Sequence, residues 1–399
     1  MRGSLPASVG ILLASAALSL AAAGSTAGPA ARWVAHDLGV PITYDSGDGS
    51  LIVGSGNVAI NERGQVIGTK TDGARSRAFL WEHGRLKDLG ALPGYTDSSA
   101  VAINDRGQVV GVSWNGPSSS QQKGHAFLWE NGRMRDLGVL PGGEASSPVD
   151  INELGQVAGN ATHGPWGDSE DRAVLWKQGH LWNLGTLPGS SDSYNAAMND
   201  HGQIVGWSAT DTKCVAFLWQ NGKMRSLGTL PGRTDSFAID INDHGQAVGV
   251  MRGPTGYEGA FLWQKGKMSA ITSGSNLGWE PEWEPVAIND RGQVALNYAN
   301  EWIFWRGGKI RHRGTGEARA LNERGQVAIA DYSDTVPRIW RDGKTTRLPL
   351  LPGDQGGAAI ALNEQNQVVG ISGTLHMDDS GEMLDYWWDC HFVLWTWER

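Results

Sequence analysis

The sequence predicts an all-β fold, an eight-bladed β-propeller of four-stranded blades, and three observations predict it. A four-part phrase returns eight times, with a marker Asn at Asn61, Asn104, Asn152, Asn199, Asn242, Asn289, Asn322 and Asn363 and a marker Trp at Trp81, Trp129, Trp176, Trp219, Trp263, Trp305, Trp340 and Trp395. Each unit holds four strand-like runs, and about 40 residues with four strands per unit is the repeat of a propeller blade. The last unit stops at Trp395-Thr396-Trp397, short of its fourth strand, while Arg32 to Gly39 carries the matching His-Asp-Leu-Gly. That N-terminal run is expected to complete the last blade and close the ring without an open internal edge. Marker spacings are 43, 48, 47, 43, 47, 33 and 41. The short sixth unit still contains VAIN, QVALNY, WIFW and KIRHRG, so it counts as a blade; a seven-bladed ring is the alternative.

The second unit, Ala100 to Gly138, shows each element in order. AVAIN reads as the first strand, and Asn-Asp-Arg-Gly as a tight turn in which Gly takes a positive φ. QVVGV is the second strand and HAFLW the third. Asn131-Gly132 is a two-residue hairpin of the kind that needs φ above zero at both positions. Asn221-Gly222 repeats it; His83-Gly84, Gln178-Gly179 and Asp342-Gly343 are weaker versions. RMRDLG is a more polar outer strand. Phe127 and Trp129 share one face of the third strand and Leu128 the other, as expected where neighbouring blades cover both sides. Burying about 200 Å² of Trp at about 25 cal/mol per Å² contributes roughly 5 kcal/mol gross, so the marker Trp reads as packing.

Composition narrows the class. The net charge is -9 with no block of Lys and Arg, which argues against a nucleic-acid partner. Arg2, the apolar run Ile11 to Ala23 and the small residues Ala21-Ala22-Ala23 read as a signal peptide over 1–23, followed by a single propeller domain over 31–399. No later run is long enough to span a membrane, so a secreted or periplasmic protein is expected. Cys214 and Cys390 each stand five residues before a marker Trp, in the fourth and eighth units. Blades on opposite sides of a ring lie beyond disulfide reach, which predicts two free thiols.

Motifs of the form HAFLW-x-NG-x-M-x-DLG-x-LPGG, alternating with A-x-x-IN-x-x-GQ-VVG, resemble the HAF family of extracellular repeats. His125-Ala126-Phe127 carries the name-giving residues, and the likeness runs from about Arg32 to Arg399. Arg77, Arg172, Val215 and Gly259 replace that His elsewhere, and the sixth and seventh units lose the LG-x-LPG pattern in whole or part. The resemblance implies localisation and fold, an exported bacterial repeat protein, and it lends this chain no catalytic residues to carry over.

The 1–2 and 3–4 turns are short and repetitive, whereas the 2–3 loops and blade connections vary. The loop-rich face is therefore the expected binding surface. Trp114, Trp166, Trp207, Tyr257, Trp279, Trp283, Trp387 and Trp388 fall in or beside those loops, with acids such as Glu282, Glu284, Asp378 and Asp379 close by. Aromatic rings beside hydrogen-bonding groups suit a carbohydrate or protein ligand. Asp97, Asp192 and Asp235, each four residues past a Leu-Pro-Gly proline, read either as Asx-type turns or as a partial carboxylate ring for a cation or sugar. No nucleophile-elbow, zinc-protease or Cys-His metal spacing occurs, so no catalytic residue, metal or cofactor is expected. The sequence thus favours an exported, non-catalytic binding module. The alternatives are a polysaccharide hydrolase or lyase using loop carboxylates and a structural envelope protein. No oligomeric state follows from it.

Overall fold

The computed structural model describes residues 31–45, 58–72, 75–116, 123–164, 170–254, 256–272, 283–298, 301–331, 334–378 and 385–398. The expected signal peptide lies outside them. They form eight four-stranded antiparallel sheets arranged as an eight-bladed β-propeller. The innermost strands of blades 1 to 8 are Ala59–Ile60, Asp97–Ile103, Ser146–Ile151, Asp192–Met198, Asp235–Ile241, Trp283–Ile288, Glu317–Leu321 and Gly356–Leu362. Blade 2 continues outward through Val109–Trp114, His125–Glu130 and Arg133–Asp136. The Asn-Gly hairpin has the expected geometry, with φ 50° at Asn131 and 82° at Gly132; His83, Gln178, Asn221 and Asp342 adopt it too.

The chain ends meet in blade 8. Its strands are Gly356–Leu362, Gln367–Asp378, Asp385–Glu398 and, outermost, Arg32–Asp45. Register runs from Arg32 opposite Glu398 to Asp45 opposite Trp387. One repeat contact is rebuilt across this seam. In blade 2, His125 Nδ1 lies 2.9 Å from the Asp136 carboxylate; in blade 8, His391 Nδ1 lies 3.1 Å from that of Asp37. The N-terminal strand thus supplies the Asp that the C-terminal repeat lacks.

Apolar packing follows the strand alternation. Phe127 and Trp129 face blade 1, packing with Ile67, Leu80, Leu92 and Val109. Ala126 and Leu128 face blade 3, packing with Val157, Val174 and Trp176. Gly111 is required by close approach: a Cβ there would collide with the Ser99 carbonyl and the Phe127 ring.

Polar motif residues stitch blades together. Ser146 Oγ accepts the Ala126 N–H at 3.0 Å and donates to the Gly138 carbonyl at 2.8 Å, joining one blade's first strand to the preceding third strand. The Asp of Asp-Leu-Gly accepts the Gly N–H, as from Gly138 to Asp136 at 2.7 Å. Among the described residues no helix is long and apolar enough to cross a membrane.

Candidate functional site on the short-turn face

Two closed rings of hydrogen bonds surround the axis on the face of the 1–2 turns. In the first, each marker Asn donates from Nδ2 to the carbonyl of the next marker Asn, from Asn61 to Asn104 and onward until Asn363 returns to Asn61, at 2.8–3.3 Å. The same side chains hold their own turns: Asn104 accepts from Gln108 N at 3.0 Å and donates to Gln108 Oε1 at 2.8 Å. The second ring uses the next residue. The carboxylates of Glu62, Asp105, Glu153, Asp200, Asp243, Asp290, Glu323 and Glu364 each accept the backbone N–H of their counterpart in the preceding blade, at 2.5–3.0 Å. The turn Gly is fixed by its neighbour as well: a Cβ on Gly107 would press on the Gln65 side chain at 3.1 Å. In blade 8, Asn366 takes that place with φ 57° and accepts from Gln326 Nε2 at 3.2 Å.

This carboxylate rim encircles one mouth of the axis. Burial raises the carboxyls of Glu62, Glu153 and Glu323; the backbone N–H each accepts works against that, and the flanking acids add to it. Arg63, Arg106, Arg291 and Arg324 stand one residue further on and offset part of the charge. Two more carboxylates, Asp150 and Asp240, sit on innermost strands where the other six blades carry Ala59, Ala102, Ala197, Ala287, Ala320 and Ala361. Asp150 accepts from Met198 N at 3.1 Å and Asp240 from Ile288 N at 2.8 Å. Burial nevertheless pushes both up to about 6.

Grooves radiate outward between blades on the same face. One of about 450 Å³ between blades 4 and 5 is lined by Arg225, His244, Trp263 and Lys265. One of about 780 Å³ between blades 5 and 6 is lined by His244, Lys265, Asp290, Arg291, Trp305 and Arg306 among others. Both volumes fall within the several hundred Å³ usual for small-molecule sites.

The loop aromatics are distributed differently. Trp114 is fully buried, its Nε1 donating to the Gly116 carbonyl at 3.1 Å. Trp207 is half-buried, stacked on Tyr194 at 5.5 Å and edge-on to Phe237 at 5.7 Å. Trp166 and Trp279 lie outside the described residues, as do the acids Glu282, Asp379 and their loops; Tyr257, Trp283, Trp387 and Trp388 stand in strands, with their side chains outside the description. The three loop-face aspartates tie blades together. Asp97, Asp192 and Asp235 accept the backbone N–H groups of Ser76, Asp171 and Cys214 in the preceding blades at 2.7–2.9 Å. Burial works to raise the Asp97 carboxyl, but the Thr96 hydroxyl, the Ser76 N–H and Arg77 with Arg75 outweigh it and hold it below its usual range. Among the described residues no group of three or more His, Cys, Asp and Glu could hold a metal ion. Cys214 and Cys390 are free thiols.

The acid after each marker Asn and the cations of the turns beside it are not among the residues that the repeat motifs single out. The signal was there: position Asn+1 is acidic in all eight repeats.

No family model and no curated protein matches the chain. Among solved structures it is similar to dipeptidyl peptidase 4 of Porphyromonas gingivalis, at 10% identity over 88% of this chain and 59% of that one, with a TM-score of 0.51. The acylaminoacyl peptidase of Pyrococcus horikoshii matches at 11% identity over 86% of this chain and 62% of that one, TM-score 0.48, and a puromycin hydrolase at 12% over 75% and 52%, TM-score 0.46. The chain spans less than two thirds of the length of each. At 10% identity the likeness to the dipeptidyl peptidase shows the fold alone. It also corrects the expectation of a non-catalytic, non-enzymatic binding module: a similar fold forms part of a peptidase, so the lack of a recognisable catalytic motif gives no ground for excluding catalysis.

Proposed function

We propose that this propeller takes part in peptide hydrolysis and holds peptide substrates against its short-turn face. The observation that best supports the reading is the distribution of charge there. Eight carboxylates rim the axis, and one groove outward stand Lys265, Arg291 and Arg306 beside Trp305, with Asp290 belonging to both features. A free peptide carries an ammonium at one end and a carboxylate at the other, and adjacent surfaces of opposite sign complement it. The reaction class is taken from the name of the dipeptidyl peptidase similar in fold. We infer further, from the N-terminal sequence, that the chain acts outside the cytoplasm.

The test is incubation of the full chain with short peptides that differ only in free or blocked ends, with products identified by mass spectrometry. Cleavage that favours free-ended peptides supports the reading. Intact peptides throughout, with free and blocked ends bound alike or not at all, overturn it.

A further inference from the structure

The eight blades repeat one register position, the outer-strand residue opposite the third-strand residue that immediately precedes the marker Trp. It is Lys87, Arg135, Trp182, Arg225, Ser269, His312, Thr346 and His36 in blades 1 to 8. What this residue does is visible in blade 1, where Lys87 Nζ lies 4.5 Å from the ring centroid of Trp129 in the next blade. A long side chain from one blade thus covers the marker Trp of its neighbour, a favourable contact for a cation over an indole.

Six of the eight residues are long. Thr346 is short, but the Trp395 of the following blade is fully buried and its Nε1 is engaged by the Pro349 carbonyl. Ser269 is the other exception, and its hydroxyl turns back to the Leu262 carbonyl at 3.2 Å. Beside it the groove opens to about 780 Å³ with Trp305 in its wall, against about 450 Å³ in the neighbouring groove that Arg225 lines.

The charges around this groove are unbalanced. Lys265, Arg291 and Arg306 line it, all exposed; among the described residues none is in a contact ion pair, and Arg291 alone acts on a carboxylate, that of Glu323 in the rim. In blade 1 the equivalent of His244 is Arg63, which has Glu82 within 3.7 Å. The one acid in the wall, Asp290, already accepts the Asp243 N–H at 2.8 Å and lies 3.5 Å from His244 Nδ1. Gln246 and Gln264 hydrogen-bond each other at 2.8 Å along the floor and add no charge.

We propose that the groove between blades 5 and 6 is a binding site for a small organic anion bearing a planar ring, the class represented by an N-acylated aromatic amino acid with a free carboxylate. The carboxylate meets Arg291, Arg306 and Lys265, and the ring takes the space that the short Ser269 leaves, against the edge of Trp305, which is 8% exposed. Arginine suits this role because its fork offers paired donors to a carboxylate. The site shares its face with the peptide reading but does not depend on hydrolysis: a ligand that binds uncleaved leaves the groove standing.

The test is calorimetric titration of the full chain with N-acetyl-phenylalanine and, separately, with its uncharged amide. Saturable binding is expected for the acid, weakened about 10-fold or more in the amide and in Arg291→Gln, as for loss of a charge-assisted hydrogen bond. Ser269→Met fills the space at an exposed position without adding charge and is expected to abolish binding, whereas the remote Arg133→Gln is expected to leave it unchanged. Equal affinity for acid and amide, undiminished binding by Ser269→Met, or no saturation below about 10 mM ligand overturns the proposal.

Discussion

Replacing Asn104 by Ala removes four hydrogen bonds at one point of the axial ring. Nδ2 donates to the Asn152 carbonyl at 3.0 Å and to Gln108 Oε1 at 2.8 Å, while Oδ1 accepts from Arg106 N at 3.1 Å and Gln108 N at 3.0 Å. Asn104, Gln108 and Asn152 are all at most 5% exposed, so water cannot replace every lost partner. A net loss near 1 kcal/mol per bond, with one or two buried groups stranded, amounts to about 3–5 kcal/mol. Asn104→Asp sharpens the test. A carboxylate still accepts the two backbone N–H groups but cannot donate to Asn152 or Gln108, so its folded-state pKa is raised and its penalty grows as pH rises. Guanidinium unfolding followed by Trp fluorescence reads both variants, with the exposed Arg106→Ala expected within about 0.5 kcal/mol of the parent. A loss below about 0.5 kcal/mol for Asn104→Ala would refute the reasoning and make the ring incidental to stability.

Two further outcomes are expected. Because Asp150 and Asp240 bind their protons more tightly folded than unfolded, stability present below pH 4 is lost as pH rises towards about 6. At about 1.4 kcal/mol per unit this is at most about 3 kcal/mol for each. Asp150→Ala with Asp240→Ala, which restores the residue of the other blades, should raise stability at pH 7.5 and flatten the unfolding midpoint between pH 4 and 6; an unchanged slope would contradict it. Burial pushes the Cys390 thiol up to about 12 and, with Asp235, raises that of Cys214 more modestly. Iodoacetamide at pH 8 should therefore label Cys390 only on unfolding and Cys214 slowly. Rapid labelling of Cys390 in the folded protein would show that blade 8 is not closed.

The ring was legible because its devices recur in sequence. Asn, Gly-Gln, Trp and Asp-Leu-Gly each make the same contact in successive blades, and His391 with Asp37 shows the repeat continuing across the chain ends. The carboxylate rim and the grooves of the short-turn face were not legible. Attention to variable loops favoured Trp114, which the fold buries completely, because sequence distance from the repeat markers says nothing about which way a side chain points. The acid after each Asn was visible as a pattern, but its place in a closed rim depends on turns from blades 33 to 48 residues apart in sequence, or 302 apart between Glu364 and Glu62. The open groove beside Ser269 emerges only when outer strands are compared in register, since a short residue among mostly long ones carries no motif.

The most direct test of the short-turn face as the working surface is hydrogen exchange on the full chain with and without N-acetyl-phenylalanine. Added protection confined to the turns around His244–Gln246, Asp290–Gly292 and Trp305–Gly308 is the predicted result. Protection at the Leu-Pro-Gly connections of the opposite face, with those turns unchanged, would contradict it.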